Sequence, residues 1–185
     1  GSQKHDDGGS DRGAVFITLL NADGTVKSYT KISDTTGGFD GTLDNGDIFG
    51  RSVASLGDLD GDGVTDIAVG ASGDDDGAYN AGAVWILFLN ADGSVKSHQK
   101  INATSGGFGA ALDGRFGHAV AHLGDLDGDG VSDLAVGAYE ADDGFSDAGA
   151  VYILFLNDDG TVKSHTKVSK TSGMESSDLE ANDYL

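Results

Sequence analysis

The sequence predicts an all-β fold assembled from four-stranded blades of the β-propeller type, and three observations carry that prediction. The first is an internal repeat: Gly13-Ala14-Val15-Phe16-Ile17-Thr18-Leu19-Leu20-Asn21-Ala22-Asp23-Gly24 returns as Gly82-Ala83-Val84-Trp85-Ile86-Leu87-Phe88-Leu89-Asn90-Ala91-Asp92-Gly93, and again over 149–160. A period of 67 to 69 residues filled with strand-like runs suits four-stranded units rather than a helical solenoid. The second is a gradient of side-chain size along each unit, from small inner strands through a bulky third strand to a charged fourth. The third is 31 glycines in 185 residues with no proline, so that turns rest on Gly, Asn, Asp and Ser. A β-solenoid or a sandwich of hairpins would also accommodate the repeat, but only wedge-shaped blades around an axis account for the gradient.

The strands follow in order within one unit. The first, about Phe49 to Gly57, carries the small residues Ser52, Ala54 and Ser55. The second, Asp66 to Ala71, reads Asp-Ile-Ala-Val-Gly-Ala. The third, Ala83 to Leu89, is apolar on both parities, with Val84, Ile86 and Phe88 on one face and Trp85, Leu87 and Leu89 on the other, as a strand covered on both sides requires. The fourth, Ser94 to Ile101, puts Val95 and Ile101 on one face and Lys96, His98 and Lys100 on the other, the mark of an edge strand defended by charge. Asn90-Ala91-Asp92-Gly93 supplies the hairpin turn between third and fourth. Trp85, Phe16 and the equivalent Tyr152 are expected in the core between blades.

Between first and second strands lies Asp58-Leu59-Asp60-Gly61-Asp62-Gly63-Val64-Thr65-Asp66, and its spacing recurs at Asp125, Asp127, Asp129 and Asp133. Carboxylates at loop positions 1, 3, 5 and 9, with glycines at 4 and 6, curl oxygen ligands towards one point and suit Ca2+ rather than zinc or copper. A surface turn rich in Asp and Gly is the plainer alternative, and the two copies in the same strand context argue against it. The loops are not EF-hands: position 12 is Val69 or Val136, and strands flank them.

Phe49-Gly50-Arg51-Ser52-Val53-Ala54, Gly57-Asp58 with its acidic loop, Asp66-Ile67-Ala68-Val69-Gly70-Ala71 and Gly82-Ala83-Val84-Trp85-Ile86 together resemble the FG-GAP repeat of integrin α-subunit propellers and their bacterial relatives. The copy from Phe116 to Ile153 matches equally well, while Ser72 and Tyr139 stand where the family carries proline. The resemblance implies two structural Ca2+ ions. One would be held by Asp58, Asp60, Asp62, Asp66 and the carbonyl of Val64, the other by Asp125, Asp127, Asp129, Asp133 and the carbonyl of Val131. It also implies an adhesion or ligand-recognition module, outside the cell or on its surface, with a protein or glycan ligand. A purely structural spacer, an engineered self-assembling scaffold and a carbohydrate-active accessory domain or enzyme are the alternatives.

The strand count divides the chain into 1–12 (tag or linker and partial loop), 13–48 (a half blade of third and fourth strands plus linker), 49–115 and 116–170 (complete blades) and 171–185 (linker to a next blade). Gly1-Ser2 reads as an expression scar, and Leu179 to Leu185 aligns with Leu43 to Phe49. Two and a half blades do not close a ring of about seven, the number the resemblance implies. An open arc and a ring completed by self-association, with another copy completing the half blade, both follow.

A formal charge of −20 argues against nucleic acid or an anionic membrane as partner, and no apolar run approaches a membrane span. With no cysteine, disulfides and thiolate metal sites are excluded. The loops 73–80 and 141–147, with Asp74, Asp75, Asp76, Asp142, Asp143 and Asp147, read as solvated loops or a further cation site. His118 and His122 share a strand face but begin ~13 Å apart, too far to ligate one ion, and with His98 and His165 are expected as exposed polar positions. No nucleophile with a base and an orienting group is evident, and the expectation is a protein without catalytic activity, although paired carboxylates for glycoside hydrolysis are conceivable among 31 acids.

Overall fold

The computed structural model describes residues 1–112 and 114–174, and these hold ten β-strands and no helix. Strands β1 (Ala14–Leu20) and β2 (Val26–Ser33) pair alone. β3 (Ser52–Gly57), β4 (Asp66–Ala71), β5 (Ala83–Leu89) and β6 (Val95–Ile101) form one antiparallel meander. β7 (Ala119–Gly124), β8 (Asp133–Ala138), β9 (Ala150–Leu156) and β10 (Val162–Ser169) form a second. These are the expected third and fourth strands of one blade followed by two complete blades; the aligned segment Leu179 to Leu185 lies outside the described residues.

The third-to-fourth turns repeat one chemistry. Asp23, Asp92 and Asp159 each accept the amide two residues on, from Thr25, Ser94 and Thr161, all at 2.9 Å. Gly24, Gly93 and Gly160 beside them take φ of 84, 79 and 77°, a region costly for residues with a Cβ.

Packing between the sheets follows the two parities of β5, which is buried along its whole length. Trp85, Leu87 and Leu89, with Ile67, Val69 and Ala71 of β4, meet Val15 and Ile32 of the half blade. Val84, Ile86 and Phe88, with Ala68, meet Leu134, Val136, Tyr152, Leu154 and Leu156 of the last blade. Blade spacing is tight at the inner strands: a Cβ on Gly70 would overlap the Gly117 carbonyl oxygen, which accepts Ser52 Oγ at 2.8 Å.

Three features depart from expectation. The first strand starts at Ser52, because Phe49 and Phe116 act as hooks: they bridge to Gly13 and Gly82 of the preceding unit, donating their amides to the carbonyls of Arg12 (2.9 Å) and Ala81 (3.0 Å). Both rings are fully buried. Second, Phe16 is not core. With Leu20 it stands on the outer face of β1, 42% exposed, because among the described residues no blade covers that face, whereas Trp85 and Tyr152 at the same repeat position are 3% and 2% exposed. Third, His118, which lies just before β7 rather than on it, is half-buried rather than exposed, and so are His98 and His165 on the outer strands. The linkers carry Phe39 and Phe108 under them, with ring centroids 5.1 Å from His98 and 4.5 Å from His165. Phe39 also lies against Phe49 and Trp85, and Phe108 against Phe116 and Tyr152. Each linker is fixed to the next outer strand by a backbone bond, Val95 N to Gly37 O and Val162 N to Gly106 O, both 2.8 Å, and the first also by His98 Nε2 to Asp40 Oδ1 at 3.0 Å.

Residues 2–13 adopt the same loop as 71–82 and 138–149. Ser2 exchanges both backbone bonds with Ala14 at 2.7 and 3.0 Å, the place Ala71 holds opposite Ala83 and Ala138 opposite Ala150. The two linkers differ where they dock on their own blade. In the first, Asp47 O accepts the Gly73 amide at 3.1 Å and the buried Asp47 carboxylate lies beside the buried Asp74, which is paired with Lys100. At the same positions the second has Gly114 and Ala141, and an ion pair between Arg115 and Glu140 at 2.8 Å.

Candidate metal centres

Each acidic loop is held in shape by its own carboxylates before any ion is considered. Asp66 opens β4 and is fully buried. Its Oδ2 accepts the Leu59 amide at 2.9 Å, and its Oδ1 accepts the Leu89 amide, from the end of β5, at 3.0 Å. Burial pushes its carboxyl above the usual range, more than these bonds pull it down. Asp133 repeats the arrangement with Leu126 at 2.8 Å and Leu156 at 3.2 Å. Asp58 Oδ2 accepts from Gly63 and Asp125 Oδ2 from Gly130, each at 2.9 Å, closing the loop over its first residue. Gly61 and Gly63 sit at φ 77 and 88°, Gly128 and Gly130 at 83 and 92°, so the glycines at positions 4 and 6 are there for the backbone.

The result is two convergent groups, Asp58 with Asp60 and Asp66, and Asp125 with Asp127 and Asp133, each offering carboxylate oxygens that all lie within 4.8 Å of one another. Oxygens that share one Ca2+ at ~2.4 Å are at most about 4.8 Å apart, so this spread is the one a single hard cation needs.

Asp62 and Asp129 are not part of the convergent groups. Asp62 Oδ1 accepts the Val64 amide at 2.8 Å and its Oδ2 is taken by the ammonium of Lys96, which also reaches Asp60 Oδ2 at 2.5 Å. Lys163 does the same for Asp129 and, at 2.6 Å, Asp127. The side-chain bonds to Asp60 and Asp62 raise the Lys96 pKa, and the bond from Lys96 lowers that of Asp62. These lysines were missed in the sequence, although each follows the loop's third Asp at a fixed distance in both copies. Each is a cation already settled on two of the loop's acids, which shows that the site favours positive charge.

The other acidic loops are engaged differently. Asp6, Asp75 and Asp142 each accept a backbone amide five residues on, from Asp11 (2.8 Å), Asn80 (2.6 Å) and Asp147 (2.8 Å), and those three residues take positive φ of 52, 50 and 52°. Asp76 pairs with Lys100 at 2.6 Å and Asp143 with Lys167 at 3.1 Å, while Asp7 pairs with Lys31. These acids therefore brace the second-to-third loop, and among the described residues they join no convergent metal-binding group. His118 lies 4.2 Å from the Tyr139 ring, its pKa lowered first by burial and then by Arg51. His122 is exposed, 3.0 Å from Ser132 Oγ.

The family model for the FG-GAP repeat matches residues 49–87 and 116–154, which run from each Phe-Gly hook through the acidic loop into β5 or β9. The two four-stranded sheets are FG-GAP repeats. Integrin α-subunits are among the curated proteins to which the chain is similar. Integrin alpha pat-2 of Caenorhabditis briggsae is 38% identical over 133 residues, 71% of this chain and 10% of the relative. Integrin alpha-PS2 of Drosophila melanogaster is 35% identical over 132 residues, 68% of this chain and 9% of the relative. Integrin alpha-5 of Xenopus laevis is 43% identical over 101 residues, 51% of this chain and 9% of the relative. The chain thus spans about a tenth of the length of the curated relatives it matches.

Proposed function

We propose that this FG-GAP chain is a calcium-stabilised, non-catalytic recognition module that works outside the cell or at its surface. The observation that carries the calcium assignment is the convergence of three carboxylates in each of two loops on a common point within 4.8 Å. Asp58, Asp60 and Asp66 would hold one ion and Asp125, Asp127 and Asp133 the other, with Asp62, Asp129 and the carbonyls of Val64 and Val131 completing the shells once the lysines give way. A bound Ca2+ offsets the mutual repulsion of these acids and ties the β3–β4 and β7–β8 hairpins to the ends of β5 and β9.

The ion here is structural. Recognition of a protein or glycan would fall to the loops on the same side of the blades, as the relation to integrin α-subunits suggests. Thermal melting tests the first part: added Ca2+ should raise Tm and a chelator lower it, and identical curves in the two conditions would rule the assignment out. Binding to arrays of matrix proteins and glycans, with and without Ca2+, tests the second against a pure spacer.

A further inference from the structure

Among the described residues four buried side-chain atoms lack a hydrogen-bond partner: Ser72 Oγ, Trp85 Nε1, His98 Nδ1 and Asn102 Nδ2. All four lie in the unit 49–115. Native interiors leave few polar atoms unmatched, so a cluster of them marks a place where water or a ligand belongs. Trp85 and His98 supply two of the four, and both line one open cleft of about 420 Å³, within the size range of small-molecule sites. The cleft lies between the first linker, which contributes Asp40 and Thr42, and the outer strand β6, which contributes His98, Gln99 and Lys100.

The two orphan nitrogens are complementary. Trp85 pairs with Lys100 across β5 and β6, and its ring meets that of His98 edge to face with centroids 5.1 Å apart. His98 Nε2 donates to Asp40 Oδ1 at 3.0 Å, which leaves Nδ1 as the acceptor of the neutral tautomer. An indole N–H only donates, so this aromatic pair carries one unmatched donor and one unmatched acceptor. A hydroxyl, which donates and accepts at once, answers both.

Charge narrows the ligand further. Lys100 Nζ stands 5.1 Å over the Trp85 ring, where a ligand cation would otherwise sit, and is bonded to Asp74 and, at 2.6 Å, to Asp76. An anion would meet the carboxylates of Asp40 and Asp76, which also line the cleft. A neutral group with several hydroxyls remains. Thr42 offers a hydroxyl, and Gln99, whose Nε2 donates to the Lys100 carbonyl at 2.8 Å, keeps its Oε1 to accept.

These features do not come with the repeat. Gly109 and Ala111 stand in the second linker where Asp40 and Thr42 stand in the first. With no carboxylate at that position, His165 stacks on Phe108 at 4.5 Å and 22°, whereas His98 is tilted 51° from Phe39.

We propose that the cleft between the first linker and β6 binds a neutral sugar, with Asp40, Thr42 and Gln99 holding hydroxyls of the ring and the Trp85–His98 pair taking one more. The inference deepens the recognition role proposed above and rests on it, but gives the ligand a class and a place that shares no residue with either acidic loop.

Trp85 is the one tryptophan of the chain, so its indole N–H gives a single magnetic resonance that reports on the cleft. The experiment titrates the isotope-labelled full chain, in Ca2+, with glucose, galactose, mannose and N-acetylglucosamine, and with glucosamine and glucuronate as cationic and anionic counterparts. The expected result is a saturable shift of that resonance with at least one neutral sugar, and at least tenfold weaker binding of the charged ones. Asp40→Gly combined with Thr42→Ala should also weaken binding at least tenfold with the fold intact, since the second unit folds with those residues. No shift with any neutral sugar would mean that the orphan nitrogens hold water only, and would overturn the proposal. So would tighter binding of a charged counterpart, undiminished binding by the variant, or sugar binding that is lost with a chelator while the fold persists. Binding to arrays of matrix proteins or glycans with the indole resonance unmoved would keep the recognition role and remove the cleft from it.

Discussion

Gly70 and Gly137 hold the same place in two near-identical strands, and among the described residues only Gly70 has a neighbouring blade against it. Replacing each by alanine isolates the effect of blade-to-blade approach from everything local. At Gly70 the new Cβ would lie 1.9 Å from the Gly117 carbonyl oxygen, with Ser52 Oγ also in the way, so the blades must part by roughly 1.5–2 Å to restore an ordinary contact. Parting them strains the Ser52-to-Gly117 bond, about 1 kcal/mol, and overpacks the inner strands at about 1–3 kcal/mol. The sum is a destabilisation of about 3 kcal/mol. At Gly137 the nearest atom to the new Cβ would be that of Ala119 at 3.5 Å, an ordinary contact. There the relief of glycine's entropy in a strand dominates, and the change is neutral or stabilising by up to ~1 kcal/mol. Urea unfolding in saturating Ca2+ reads both values, provided the m-values agree with the parent. Equal effects of the two substitutions, within about 0.5 kcal/mol, would refute the reasoning that the blades touch through Gly70.

Asp47 is pushed up to about 6 from 3.8, first by burial and also by the nearby Asp74 and Asp44, against the pull of the Asp44 amide and Lys100. Between about pH 4 and 6 the folded chain holds a proton that the unfolded chain releases, so stability falls as pH rises through that window. Asp47→Asn should therefore stabilise by on the order of 2–3 kcal/mol at pH 7 and by little at pH 4, measured as the shift in urea midpoint at each pH. Lys96→Met should tighten Ca2+ at the first loop by about tenfold, because the ammonium competes for Asp60 and Asp62. Calorimetric titration checks this, and weaker binding would mean that the lysine orients the loop instead. Phe108→Ala, which empties the space between Phe116, Tyr152 and His165, should cost about 3–5 kcal/mol by denaturant unfolding.

The strands and their pairing were legible because alternation in β5 and β6 and the long period are written in side chains that face their neighbours directly. The convergence of Asp58, Asp60 and Asp66, and of Asp125, Asp127 and Asp133, was legible for a similar reason, since carboxylate spacing within nine residues maps onto one local geometry. What escaped depends on contacts across units. Lys96 lies far along the chain from Asp62 and meets it only because β6 folds back beside the loop, so no local spacing reveals the pair. Phe39 and Phe108 recur in the linkers as Gly-Gly-Phe, but nothing in a linker's own residues says which strand its ring will cover, so the burial of the two histidines above them depends on a contact that local pattern does not show. Phe16 shows the converse limit. Its repeat position is core in both complete blades, and its exposure follows from what lies next to it in space, which periodicity does not encode.

The two linkers are near-copies entering near-identical blades, yet each is cut to fit one place. The first presents Asp47 and Ile48 to a loop with Gly73 and Asp74, and a Cβ on Gly73 would overlap the Gly46 carbonyl and crowd Ile48. The second presents Gly114 and Arg115 to Glu140 and Ala141. Exchanging them would press Glu140 against Ile48 and part Arg115 from Glu140. A chain of look-alike units runs the danger of threading in the wrong order while it folds, because every hook could find any edge. Here the odd residues at the seams act as an address, so that each unit closes on its own neighbour.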